Sequence, residues 1–272
     1  MSHELAISIA TRVGDGKPNR DAVGLHGWVL YAQRNLLSLT LPVHPQYPTK
    51  IALAAGRGAG DGRRDARIAA EWLSWPDGEP SMSARRALDA FRDADDEIRR
   101  RHVSGRAGGC VAALLSLGND GHAVVGAAGG VHVFRMIEGY AGQVTRGDGP
   151  GGLGCAEQGS PDPPYEFRAF PGDRLIMCTR DLSDADLTGT GGRSGAQLAY
   201  HLAYGESGPD GLTAMVIDVV RSLPDGRRVR GVSQPAPADR PALTSPRPSP
   251  AAARPSPAAP RTEPERLPDV VR

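Results

Sequence analysis

The sequence predicts an α+β domain followed by a proline-rich tail, and three observations carry that expectation. Short apolar runs bounded by Gly, Pro or Asn-Asp-Gly recur in series, often in hairpin order. Helix-like stretches fall in separate blocks, so the pattern is not a repeating βαβ. From about Ser233 proline recurs every few residues, with almost no aromatic or β-branched residue to build a core.

Taken in order, ELAISIATR alternates apolar and polar residues, as a half-buried strand does. GLHGWVLYA, NLLSLTL and TKIALAA are short runs between Gly or Pro and read as strands. RRDARIAAEWLSW reads as a helix with Ile68, Trp72 and Leu73 on one stripe. SARRALDAFRDADDEIRRRHV reads as a second, with Leu88, Phe91 and Ile98 on one face and charges over the rest. CVAALLSLG, HAVVGAA and GVHVFRMI follow as strands separated by NDG and AGG turns. YEFRAF and DRLIMCT are two more. SGAQLAYHLAYG is a shorter helix, with Leu198 and Leu202 on one side, and LTAMVIDVV is the last strand. The organisation expected is a domain over residues 1–232 and a disordered tail over 233–272. The tail suits a proline-recognising partner or carries a phosphosite such as Thr244 or Ser249, or is a solvated tail with no specific role.

A chain of 272 residues is long enough for a substantial core. Its net charge of +1 argues against a global field for nucleic acid or membrane. No apolar run approaches the roughly 20 residues that span a bilayer. The first residues, MSHELAISIATR, lack the basic and apolar segments of a signal peptide, so a cytoplasmic location is expected. Cys110, Cys155 and Cys178 form no CxxC pair, which argues for reduced thiols and against zinc.

Four landmarks carry a functional reading. GDGKPNRDAVG is an early loop with Asn19 and Asp21. ALAAGRGAG is a glycine-rich turn between a strand and a helix. HAVVGAAGGVHVFR is a hairpin. GDRLIMCTRDLSD is a strand ending in a turn, followed downstream by GPDGLTAMVIDV. In this order they resemble the metal-dependent protein phosphatases, the PPM or type-2C Ser/Thr family, over about residues 5–221. The family pattern is an NxD turn, a strand into DGxGG, a GDSR-like hairpin, GDxLLLCSDGL and a final DN-x-T. The resemblance implies an αββα sandwich of two antiparallel sheets flanked by helices. It also implies a pair of Mg²⁺ or Mn²⁺ ions held by oxygen ligands, which activate a water against phosphate.

Position by position, the implied site is degenerate. Asp21 matches the NxD ligand. Ala55 stands where the bridging Asp of DGxGG is expected, while Gly56 and Gly58 are kept for the sharp turn. Arg180 stands where SDGL has its Asp, and GAAGG lacks the hairpin's Asp. Asp210 matches DN-x-T, with Gly211 for Asn and Thr213 in place. Lys17 lies near the family's phosphate-contacting basic residue. Arg180 is expected to replace a cation by pairing with Asp21 or Asp210.

The resemblance therefore implies a pseudophosphatase: a regulatory or phosphoprotein-binding module, with a phosphoprotein or kinase as partner and no cofactor. The alternative is a divergent phosphatase using Mg²⁺ or Mn²⁺ on Asp21 and Asp210, with Asp61 or Asp181 as substitute ligands. Other chemistries find less support. GRGAGDGRRD lacks the GK[ST] of a phosphate loop and the βαβ context of a dinucleotide site. His122, His132 and His201 form no metal-binding spacing. RRRHVSGR suits a solvated helix end or, as the other reading, a phosphoprotein-docking run. No GxSxG or Cys–His arrangement is present.

Overall fold

Central strands buried on both faces produce a layered architecture in the computed structural model. It describes residues 3–14, 19–31, 36–58, 61–102, 108–146, 151–155, 161–205 and 211–221. The chain divides into two units, Met1–Arg227 and Arg228–Arg272; the second, with the expected tail, lies outside the described residues.

One six-stranded sheet has the order β4-β1-β12-β11-β8-β9. Its strands are β1 (His3–Arg12), β4 (Leu37–Pro42), β8 (His132–Ile137), β9 (Tyr140–Gln143), β11 (Arg174–Cys178) and β12 (Leu212–Arg221). The other has the order β10-β7-β6-β5-β2-β3. It is built from β2 (Asp21–Leu25), β3 (Trp28–Tyr31), β5 (Thr49–Gly56), β6 (Cys110–Leu117), β7 (His122–Ala128) and β10 (Tyr165–Arg168). The pairings between these strands are antiparallel.

Because side chains alternate along a strand, each sheet feeds two cores. Ile7, Ile51, Leu53, Leu115, Leu175 and Ile217 pack between the sheets. Ala52, Ala54 and Leu114 of the second sheet pack against α1 (Gly62–Ser74) and α2 (Ala84–Arg101), through Ile68, Leu73, Phe91 and Ile98. Ile176, Cys178, Ala214 and Val216 of the first sheet pack against Leu198 and Leu202 of α4 (Gly195–Tyr204), beside the short α3 (Asp184–Leu187). The result is the expected αββα sandwich. Helix α4 opens on a capping box, Ser194 with Gln197, and α2 opens on the Ser83 hydroxyl. Among the described residues no helix is long and apolar enough to cross a membrane.

Three sequence expectations are corrected. GLHGWVLYA is the hairpin β2–β3, not one strand: His26 (φ 45°) and Gly27 (φ 89°) make the left-handed turn that a two-residue hairpin requires. Trp72, expected on the buried stripe of α1, is 42% exposed, while Ile68 and Leu73 are buried. Leu88 of α2 is half-buried and its neighbour Ala87 takes the core position.

Candidate functional site

Asp21 begins β2 at the mouth of the space between the sheets. The turn before it is held by the Asn19 side chain, whose Oδ1 accepts the Asp21 N–H at 2.9 Å. In the β2–β5 register Asp21 stands directly opposite Ala55. Val23, Leu53 and Ala55 all face the inter-sheet core, so Asp21 and Ala55 share that face. Directly opposed residues of an antiparallel pair have Cβ atoms about 5 Å apart. A carboxylate at 55 would thus be an immediate neighbour of Asp21, and the chain presents a methyl there.

The facing sheet contributes hydroxyls. Thr11 and Thr213 are a register pair of β1 and β12, both buried, and Thr179 directly follows β11. Thr213 Oγ1 donates to Asp21 Oδ2 at 2.5 Å. Thr11 Oγ1 lies 3.0 Å from Thr213 Oγ1. With Asp21 ionised, Thr213 gives its single proton to the carboxylate, so Thr11 is the donor in the second bond. Thr179 Oγ1 accepts the Thr213 N–H at 3.0 Å, which sets its hydroxyl on the Asp21 side of the mouth. Burial pushes the Asp21 carboxyl up to about 6; the Thr213 and Thr179 hydroxyls act in the opposite direction and only partly offset it.

The glycine-rich turn keeps its shape without acidic groups. A Cβ on Gly56 would sit 2.2 Å from the carbonyl oxygen of Gly62, the first residue of α1. Gly58 has φ 76°, in the left-handed region. Arg20 closes the turn by donating from its guanidinium to the Gly58 carbonyl at 2.5 Å, and the Gly56 N–H donates to the Arg20 carbonyl at 3.1 Å. Arg57 points its N–H to the Gly109 carbonyl at 2.7 Å and is exposed.

Arg180 does not pair with Asp21. Along β11 Met177 faces the inter-sheet core and Cys178 faces α4. Continuing this alternation, Thr179 falls on the Asp21 side, while the Arg180 charge acts on Cys178. Among the described residues Arg180 makes no ion pair. Asp61 is exposed at the start of α1, with its carbonyl accepting the Arg64 and Asp65 N–H groups. Asp181 is exposed and lies 3.5 Å from His132 Nδ1. Neither carboxylate joins the Asp21 network. The buried acid of α1, Asp65, is occupied by His102, whose Nε2 is 3.1 Å from both carboxylate oxygens. Lys17 and Asp210 lie outside the described residues.

The sequence reading passed over Thr11 and Thr179. Their signal is a threonine that ends an inward-facing apolar series: Ile7-Ile9-Thr11 and Leu175-Met177-Thr179. For a pair of hard dications the described donors do not fit. Asp21 is one carboxylate and already accepts the Thr213 hydroxyl; Ala55 offers no side-chain oxygen; and among the described residues no group of three His, Cys, Asp or Glu side chains is placed to hold a metal ion.

A sandwich of two antiparallel sheets between helices is the architecture of the PPM-type Ser/Thr phosphatases, and the chain has that fold. It is similar to the S. agalactiae serine/threonine phosphatase (TM-score 0.61, 15% identity) and to the Mycobacterium tuberculosis phosphatase PstP/Ppp (TM-score 0.58, 18% identity). In both cases 80% of this chain aligns with 100% of the other. The PstP catalytic domain in complex with two manganese ions aligns equally well (TM-score 0.58, 19% identity, 80% of this chain and 100% of that one). No family model matches the sequence, and no curated protein matches it.

Proposed function

We propose that this domain is a pseudophosphatase: a PPM-type fold that engages a phosphoprotein or protein kinase as a regulatory module, without hydrolysis. Ala55 is the observation that carries the reading. It sits opposite Asp21 on the inter-sheet face, where the resemblance places the bridging carboxylate, and a methyl cannot bridge two cations. The Asp21 network adds support, because the Thr213 hydroxyl already occupies Asp21 Oδ2 and, among the described residues, no second carboxylate stands beside it on the inter-sheet face. Arg20 and the exposed Arg57 border the glycine turn and supply guanidinium groups suited to a phosphoryl oxygen.

The second reading is a divergent Mg²⁺- or Mn²⁺-dependent phosphatase. The retained Asp21 favours it, and it needs ligands beyond the described residues, Asp210 first. Calorimetric titration of Mn²⁺ and Mg²⁺ into the full chain, with phosphopeptide binding and hydrolysis followed on the same sample, separates the two. The pseudophosphatase reading expects no saturable metal heat, no turnover, and phosphopeptide binding that Arg57→Ala weakens. Saturable metal binding with turnover that Asp21→Ala abolishes would establish the second reading instead.

A further inference from the structure

All three tryptophans of the chain are at the surface: Trp28 is 78% exposed, Trp72 42% and Trp75 57%. Trp72 and Trp75 are three residues apart at the C-terminal end of α1, a spacing that puts them side by side. They line a groove of about 500 Å³ together with Lys50, Glu71, Asp77 and Asp93. That volume is in the range of ligand-binding clefts. It lies on the helix side of the second sheet, since Lys50 has the same parity as the helix-facing Ala52 and Ala54.

The charges of the groove sort into used and unused. Lys50 is buried and paired with Asp77 at 2.9 Å. Arg101, which also lines the groove, is paired with Glu97. Glu71 and Asp93 form no ion pair among the described residues. What is left for a ligand is two indole faces and two carboxylates. Those groups complement a cation on an apolar, flat-faced chain. The walls are helices whose backbone groups are already bonded within the helix, so they offer no ladder to an incoming strand. A polyproline-II segment needs none, because its backbone stays solvated, and its rings stack on aromatic faces with little ordering cost. Arginine supplies the matching charge for Glu71 and Asp93, and stacks on indole.

We infer that the Trp72–Trp75 groove docks a proline-rich, arginine-bearing segment of a partner protein, independently of the Asp21 site. The test uses the full chain and three synthetic peptides: alternating Pro-Pro-Arg, all-proline, and Gly-Ser with the same arginines. Binding is read by tryptophan fluorescence and calorimetry. The Pro-Pro-Arg peptide is expected to bind saturably. The double variant Trp72→Phe/Trp75→Ala is expected to lose about tenfold or more in affinity. Glu71→Gln/Asp93→Asn is expected to weaken the arginine peptide but not the all-proline one. Circular dichroism checks that each variant is folded. The inference is overturned by any of four results: no saturable binding to the wild-type chain, affinity indifferent to the tryptophan variants, equal binding of the Gly-Ser-Arg peptide, or displacement by tetramethylammonium at similar concentration, which would mark a simple cation cage. A tryptophan-dependent dimer in sedimentation, without peptide binding, would assign the groove to a second copy and overturn it too.

Discussion

The two ends of β5 are built on opposite plans. At its C-terminal end Ala55 and Gly56 meet Asp21 and a set of threonines, and the polar groups there are satisfied by one another. At its N-terminal end Lys50 runs into the helix layer beside two exposed indoles, and carboxylates remain without ion partners among the described residues. The first end is where the resemblance expects chemistry, and it is internally closed. The second has no counterpart in that resemblance, and it is open. A fold can therefore keep the backbone of a catalytic mouth while its unsatisfied surface, the part able to gain from a ligand, lies elsewhere.

The largest effect tests the claim that the glycine turn is kept for backbone packing. Gly56→Ala places a Cβ 2.2 Å from the Gly62 carbonyl oxygen and 2.3 Å from its carbon, so α1 must shift away from β5. The expected cost is about 3 kcal/mol or more, read as a lower urea midpoint. A cost near zero would mean that the turn relaxes freely and that packing does not explain its retention.

Ala55→Asp restores the acidic pattern and is the second largest. Two carboxylates then face each other in a desolvated position, and one of them must hold its proton. A loss of about 2 kcal/mol at pH 7 is expected, and a smaller loss at pH 5, where the shared proton is available. If Mn²⁺ raises the Tm of this variant and leaves the wild-type chain unchanged, the missing bridge is what separates this mouth from a metal centre. A rise in the wild-type chain as well would remove the contrast between the two ends of β5.

Asp21→Asn is next and has the opposite sign. The Asp21 carboxyl is raised from the ordinary 3.8 to about 6. Between those values the folded chain keeps a proton that the unfolded chain has released. The stability tied to this group is therefore full below about pH 4, falls as pH rises through about 6, and above that is a constant penalty of at most about 3 kcal/mol. An asparagine accepts the Thr213 hydroxyl and carries no charge. It is expected to stabilise the protein by about 1–2 kcal/mol at pH 7 and to flatten the pH dependence between 4 and 6, measured by urea unfolding across that range. Destabilisation at pH 7 would mean that the hydroxyls outweigh the desolvation.

Much of this contrast was legible in the residues, and the rest was not for identifiable reasons. Strand and helix periods were strong because both sheets bury their faces, so Ile51-Leu53-Ala55 and Phe91-Ile98 announce themselves. Gly56 and Gly58 were read as turn residues, and the structure gives each its reason in a close approach and a positive φ. The β2–β3 hairpin was hidden because His26 takes a left-handed turn position that the sequence would assign to Asn or Gly. Strand β9 was missed because Tyr140–Gln143 is short and wholly exposed, which leaves no apolar alternation to read. The threonine network depends on register: Thr213 and Asp21 lie 192 residues apart and belong to different sheets, so no local pattern links them. Trp72 misled because helical spacing names a stripe but not its edge, and an indole at the edge stays in water.

The smallest expected effect closes the comparison. Trp75→Ala removes the largest side chain available, yet at 57% exposure much of it is already in water. Trp75 is the C-cap of α1, where ψ 130° turns the chain out of the helix, so no helical turn packs beyond it. Its loss is expected to move stability by no more than about 1 kcal/mol. One added methyl at Gly56 is thus expected to cost more than nine heavy atoms removed at Trp75, because the first violates a backbone contact and the second uncovers little. The two urea midpoints, measured side by side, decide it. If Trp75→Ala proves as costly as Gly56→Ala, the indole is a structural wedge between α1 and the β2–β3 turn, and the open end of β5 is closed after all.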